Sequence, residues 1–309
     1  MEDFKENKKI GFIGQGWIGK NYADNFEQRG YNVVRYSQEE PHINNGEKIK
    51  ECDIVFIAVP TPTAPAGFDD SILREVIKSV GQDKIAVIKS TIIPGTTESI
   101  QEENPNIYIM HSPEFLTETN AIYDAAHPNR NIIGIPKNND DYKRRAKEVI
   151  KVLPTAPYTL ICSAQEAELI KYGGNCWFYF KVIFINMLYD LAQKIGVDYK
   201  VIKEAMAADP RIGSSHLLPI HDTKDEINNK LNYNDFHLEP FHKSGRGAGG
   251  HCFIKDFAAF SKIYQNLVGD DFGIKVLKSL KEKNIDLLKS SDKDLDLLAG
   301  VYGDDVINK

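Results

Sequence analysis

A chain of 309 residues is about two ordinary domains long. Its 42% hydrophobic and 27% charged composition excludes wholesale disorder and an extended coiled coil. The formal net charge of -6 has the wrong sign for a generic nucleic-acid binder, whose affinity comes largely from Lys and Arg on phosphates. Met1 to Lys9 is charged and lacks the apolar stretch of a secretory signal. The longest hydrophobic run, Cys176 to Leu191, is broken by Lys181, Asn186 and Asp190, short of the about 18 apolar residues a membrane span needs. Four scattered cysteines (Cys52, Cys162, Cys176, Cys252) contain no C-x-x-C, so neither a zinc site nor a disulfide framework is expected. The expectation is a soluble cytoplasmic protein with no metal and no nucleic-acid or membrane partner.

In chain order, strands are predicted at Lys9–Ile13, Asn32–Tyr36, Asp53–Val59, Lys84–Ser90, Ile107–His111 and Asn131–Ile135. Several are continuous apolar runs, the pattern of strands buried on both faces of a parallel sheet. Amphipathic stretches at Trp17–Arg29 and Ser71–Val80 lie between them. Alternating βα units predict an α/β fold: an N-terminal Rossmann-like, doubly wound parallel sheet over residues 1–163. A long interdomain helix and an all-helical second domain should fill residues 164–309. The helix is predicted over Glu166–Ile195, stopped by Gly196. Gly173-Gly174 inside it costs about 1 kcal/mol per Gly against Ala, which points to close packing or ligand approach. Its aromatic and aliphatic residues surround most of the helix, which predicts burial on nearly all sides, in part by a second subunit. Further helices are predicted at Tyr199–Ala207, Lys255–Leu267 and Phe272–Leu288, with a charged, helical tail after Asn284. The polar segment Ile220–Lys243 reads as a long surface loop, a class that is usually functional or disordered.

Gly14-Gln15-Gly16-Trp17-Ile18-Gly19 follows the first strand and opens a helix. The first glycine permits the tight turn, the second lets a pyrophosphate approach the backbone, and the third lets helix and strand pack closely. The helix N-terminus then receives the anion. Ser37 stands where a carboxylate would grip the ribose hydroxyls, and no Arg follows to attract a 2′-phosphate. NAD is therefore expected, with NADP left open.

Four stretches carry chemistry. Lys89 to Thr97 contains Ser90-Thr91-Ile92-Ile93-Pro94-Gly95-Thr96 at a strand end, where α/β domains place ligands. Ser112-Pro113-Glu114-Phe115-Leu116-Thr117-Glu118 carries two carboxylates at i and i+4; taken alone these read as a solvated helix start. Lys171-x-x-x-Asn175 sets a Lys and an Asn one turn apart on a greasy helix, where an unpaired buried charge is expensive; taken alone, a snorkelling Lys with a capped Asn reads equally well. Gly245-Arg246-Gly247-Ala248-Gly249-Gly250-His251-Cys252 presents a cysteine just before a helix, near Lys255, a setting that favours thiolate.

Together these stretches resemble the UDP-glucose/GDP-mannose dehydrogenase family. The resemblance runs from about Lys9 to Asn284 and includes Val59-Pro60-Thr61-Pro62-Thr63, Asp124 with Pro128-Asn129-Arg130, Ala167 to Tyr172, and Asp209-Pro210-Arg211-Ile212-Gly213. It implies an NAD-dependent, four-electron oxidation of a nucleotide sugar's primary alcohol to a carboxylate. Carried over, Cys252 would capture the aldehyde as a thiohemiacetal that becomes a thioester. Lys171 and Asn175 would stabilise the oxyanion, Glu114 would serve as hydrolytic base, and Thr91 and Asp256 would hold the water. The cofactor would be held by Gly14, Gly16, Trp17, Ile18, Gly19, Ser37, Val59, Pro60, Thr61, Thr91 and Glu118. The substrate would meet Phe115, Leu116, Glu118, Lys171, Gly249 and Lys255, with Arg211 reaching a neighbouring subunit's substrate in a homodimer built on the helix at 166–195. The sequence departs from the family in two ways. It reads as a shortened form, without the C-terminal nucleotide-sugar-binding domain that members carry after the position of Asn284. It also has the 220–243 segment, which is expected to supply substitute substrate contacts where relatives have a short link. Two other readings stand beside this one: a non-catalytic or regulatory binding protein of the same descent, and a two-domain β-hydroxyacid dehydrogenase that transfers one hydride.

Overall fold

A computed structural model describes residues 8–117, 120–221 and 244–308. The chain divides into two compact units, one made of residues 1–62 and 69–171, the other of residues 63–68 and 172–309.

The first unit is built on a seven-stranded sheet of order β2-β1-β3-β6-β7-β8-β9. Its strands are β1 (Lys9–Ile13), β2 (Asn32–Tyr36), β3 (Ile54–Ile57), β6 (Ile85–Ile88), β7 (Tyr108–His111), β8 (Arg130–Ile135) and β9 (Tyr158–Ser163). Every residue of β3 and β6 is buried, which explains why Ile-Val-Phe-Ile and Ile-Ala-Val-Ile show no alternation. Helices α1 (Trp17–Gln28), α2 (Gly46–Ile49), α3 (Ser71–Val76), α4 (Thr96–Glu103), α5 (Ala121–Ala126) and α6 (Asp140–Val152) connect them. Phe12, Phe26 and Phe56 form the centre of the core, with ring centroids 5.1 to 5.3 Å apart. Asn139 caps α6 by accepting the Tyr142 N–H, so that helix starts where its sequence supplies an Asx cap.

One expectation needs correction. The sheet is not wholly parallel: β7 and β8 meet antiparallel at His111 and Gly134, whereas the other pairs are parallel. A parallel crossover needs a helix long enough to traverse the sheet. The connection from β7 to β8 holds only the six-residue α5, so the chain turns back from the carboxyl end of β7. The sheet also gains β9, an edge strand absent from the expected set, whose half-exposed residues carry no strong apolar signal.

The second unit is mainly helical. Helix α7 (Ala164–Ile195) runs through the division between the units. It is followed by α8 (Tyr199–Ala207), α9 (Gly250–Leu267), α10 (Asp271–Ser290), α11 (Leu295–Tyr302) and α12 (Asp305–Asn308). Two-stranded ladders interrupt the helices: β4 (Thr63–Ala64) with β5 (Gly67–Phe68), and β10 (Ile220–His221) with β11 (Gly245–Arg246). Tyr179 on α7 stacks on Phe257 of α9 at 3.9 Å, and Cys176, Val182, Ile183, Ala248 and Leu277 complete that core. The long helix is not covered on nearly all sides by its own chain. Trp177, Phe184, Met187, Leu191 and Ile195 are each more than half exposed, at the three- and four-residue spacing of one helix face. Residues 222–243 of the expected surface loop lie outside the described residues, whereas Ile220 and His221 belong to β10. Among the described residues no helix is long and apolar enough to cross a membrane, and no His, Cys, Asp and Glu cluster could hold a metal.

Candidate active site

The glycine turn is shaped as its spacing predicts. Gly14 has φ 89°, and a Cβ there would lie 2.1 Å from the Ala58 carbonyl oxygen. A Cβ on Gly19 would lie 1.9 Å from the Gly14 oxygen, so these two glycines are fixed by packing. Gly16, at the N-cap of α1, faces open space, and the following turn of helix contains Trp17, Ile18 and Gly19. An exposed glycine at a helix N-terminus lets a pyrophosphate approach backbone N–H groups, so these residues fit a dinucleotide. Ser37, just past β2, spends its hydroxyl locally, donating to the Glu39 carbonyl at 3.0 Å.

The carboxyl ends of β3, β6 and β7 lie side by side. The Val59 N–H donates to Ser90 Oγ at 2.9 Å and that hydroxyl donates back to the Val59 carbonyl at 2.7 Å. Thr61 Oγ1 donates to the Thr91 carbonyl at 2.7 Å, and Pro60 is exposed between these links. Val59, Pro60, Thr61 and Thr91 therefore form one ledge at the strand ends.

Next to the ledge, Lys171 on α7 points its Nζ at Glu114, 2.8 Å from Oε1 and 2.7 Å from the backbone oxygen. Both residues are buried. Burial pushes the Glu114 carboxyl up. The charge and hydrogen bond of Lys171, the Leu116 N–H at 2.7 Å from Oε2, and Lys89 outweigh it and hold the group below the usual carboxylate range. Glu114 is thus no solvated helix start. Phe115 packs its ring under Arg130, whose guanidinium carbon lies 3.8 Å from the centroid. Glu118 lies outside the described residues.

In the second unit, Cys252 is exposed. It does not precede a helix but sits in the first turn of α9, whose range begins at Gly250. Asp256 is one turn further on, hence on the same face. Its buried carboxylate accepts from Asn175 Nδ2 at 2.6 Å on one oxygen and from Lys255 Nζ at 2.6 Å on the other. Gly249 is the N-cap of α9. Arg211, with its side chain 88% exposed, is paired with Asp209 at 2.6 Å and reaches none of these groups in its own unit.

Two buried charged side chains inside the motif stretches have no part in the site as read from the sequence. Lys89 is buried at the end of β6, with Nζ 3.3 Å from Ser112 Oγ and 4.5 Å from the Tyr22 ring centroid. Burial, reinforced by Lys171 and partly offset by Glu114, brings its pKa down to about 7. The signal was its place in a strand-end motif. Glu168 is fully buried and accepts the Gly95 and Thr97 N–H groups at 2.7 and 2.8 Å, capping α4 from α7.

Comparison with known proteins places these residues in a family. Residues 42–153 match the NAD binding domain of the UDP-glucose/GDP-mannose dehydrogenase family, and residues 165–285 match its central domain. A UDP-glucose 6-dehydrogenase of Rickettsia bellii is 28% identical over 89% of this chain and 67% of its own length. One from Bacillus subtilis is 30% identical over 82% of this chain and 54% of its own length. Among solved structures, a UDP-glucose dehydrogenase from Pyrobaculum islandicum aligns with TM-score 0.70 and 26% identity over 93% of this chain and 71% of that one. The chain thus spans roughly half to two-thirds of the length of these curated relatives.

Proposed function

Because this chain belongs to the UDP-glucose/GDP-mannose dehydrogenase family and its dinucleotide is NAD, we propose that it oxidises the primary alcohol of a nucleotide sugar to a carboxylate. The observation that carries this reading is the exposed Cys252 on the first turn of α9, one turn before an Asp256 that holds both Asn175 and Lys255.

NAD supplies the hydride acceptor, and two equivalents are consumed for each sugar. The protein's own groups do the rest. Cys252 Sγ adds to the aldehyde carbon, and the resulting thiohemiacetal is oxidised to a thioester, so the reactive aldehyde stays bound between the two oxidations. Lys171 and Asn175 donate hydrogen bonds to the developing oxyanion, an effect worth about 3 to 4 kcal/mol for a single donor. Thr91 and Asp256 hold the hydrolytic water, and Glu114 takes its proton as the thioester is cleaved. Lys255, Phe115, Leu116 and Gly249 bind the sugar.

The exposed face of α7 supports a homodimer, with Trp177, Phe184, Met187, Leu191 and Ile195 buried against a second copy and Arg211 extended to its substrate. Phe184→Asp is then expected to give a monomer by sedimentation.

The test is stoichiometry. Incubation with UDP-glucose, UDP-N-acetyl sugars or GDP-mannose should release two NADH per sugar consumed. One NADH indicates a single-hydride dehydrogenase, and none, with the sugar bound, indicates a binding protein; either result overturns the proposal.

A further inference from the structure

The match to the family's central domain ends at residue 285, yet the chain that follows packs against the loop that leads into the helix of Cys252. After α10 it makes a tight turn, Ser291 to Asp294, before α11. Ser291 Oγ accepts the Arg246 N–H at 2.9 Å. Asp294 is buried, sits at φ 50°, and accepts the Gly250 N–H on Oδ2 at 2.8 Å. Gly250 is the first residue of α9, and its N–H is one of the donors that no helix can satisfy internally.

The glycines of this loop are shaped to that turn. A Cβ on Gly249 would lie 2.0 Å from Asp294 Oδ2 and 2.7 Å from Lys293 Cε. A Cβ on Gly245 would lie 2.7 Å from Ser291 Oγ and 2.8 Å from Lys293 Cβ. Between them, Ala248 is held by the Asn284 side chain at both its N–H (2.7 Å) and its carbonyl (3.0 Å). Leu298 of α11 is fully buried against Ile254 of α9 and Leu288 of α10, which fastens the turn from its far side. Substrate approach to the backbone is therefore not the only reason for glycine at position 249; the chain's own turn already fills the space beside it.

We propose that Ser291–Asp294 is a clasp that sets the backbone of the Gly245–Gly250 loop, with Asp294 as the positioning residue for Cys252. The carboxylate fixes the first N–H of α9, and the cysteine two residues later inherits that geometry. The clasp rests on contacts alone; the positioning role rests also on the reading of Cys252 as nucleophile.

Two substitutions isolate the carboxylate. Asp294→Gly deletes it while accepting the left-handed backbone without strain, and Asp294→Asn keeps an acceptor oxygen in a residue that also tolerates that conformation. In the full-length chain, amide exchange of Gly250 is expected to be about tenfold faster in Asp294→Gly and restored in Asp294→Asn. Ser291→Ala, which leaves Asp294 in place, should speed exchange of the Arg246 amide. Unchanged exchange in Asp294→Gly and in Ser291→Ala overturns the clasp. With nucleotide sugar and NAD, Asp294→Gly should lower kcat about tenfold with KM nearly constant, and Asp294→Asn should recover it. Faster exchange with full turnover overturns the positioning role. If the wild-type chain releases no NADH, the proposed activity falls and the positioning role with it, while exchange still decides the clasp.

Discussion

Lys171 and Lys255 both end on a carboxylate, at 2.8 Å from Glu114 and 2.6 Å from Asp256, but they sit in different surroundings. The Lys171 and Glu114 side chains are each 7% exposed, and Nζ also donates to the Glu114 backbone. The Lys255 side chain is 21% exposed while its Asp256 is 1% exposed and has a second donor in Asn175. The first pair is shielded from water, so loss of either charge leaves the other buried without its main counter-charge. In the second pair the carboxylate keeps Asn175 if the lysine leaves, which fits the sugar-binding role proposed for Lys255. The same ionic contact is thus closed off from solvent in one unit and partly open to it in the other.

The sharpest way to break this contrast is to remove each lysine. Lys171→Met strands a buried carboxylate and is expected to cost about 3 to 5 kcal/mol in chemical denaturation. Lys255→Met should cost about 1 kcal/mol or less and raise KM instead. Equal losses would contradict the comparison. The Lys171 effect should also follow pH. Because the folded Glu114 titrates below its unfolded value, the pair's stabilisation is present above the ordinary carboxylate range and is lost as pH falls through the lowered folded value.

Glu168→Ala comes next, since it leaves the Gly95 and Thr97 N–H groups of the α4 cap without their acceptor. A loss of about 1 to 3 kcal/mol in stability is expected.

Lys89 extends the comparison to a lysine with no carboxylate at hydrogen-bond distance among its described contacts. Its folded pKa, about 7, lies below the unfolded one, so the unfolded chain binds more protons between them. Burial of this amine therefore costs stability in full below about pH 7, and the cost fades as pH rises toward the ordinary lysine range. Lys89→Met should raise the thermal midpoint relative to wild type more at pH 6 than at pH 10. A pH-independent difference would refute that assignment. The smallest effect belongs to Arg211→Ala, which should leave the thermal midpoint unchanged, because its ion pair with Asp209 is exposed.

Much of this was legible in the residues. β1, β2 and α8 begin and end where their apolar patterns place them, because local burial and the 2.0 or 3.6 period agree there. Tyr158–Ser163 was not legible as a strand, since its residues lie half-exposed on a sheet edge and its apolar run is only Leu160-Ile161-Cys162. The start of α9 was misjudged for a different reason: Gly249-Gly250 reads as loop, and Gly250 opens the helix at φ 75° with its N–H held by Asp294, distant in sequence. Glu168 was invisible as a cap because its partners on α4 lie far away along the chain. The Cys252, Lys171 and Glu114 motifs stood out because their chemistry is costly to place by chance, yet their partners became clear only in three dimensions.

Cys252 is proposed to carry the substrate as a thioester that Glu114 helps to hydrolyse. Glu114→Gln, incubated with UDP-glucose and NAD and then digested for mass spectrometry, tests it most directly. An acyl adduct of the oxidised nucleotide sugar is expected on the peptide containing Cys252, and none when Cys252→Ser is added. Full turnover by Cys252→Ser would contradict it.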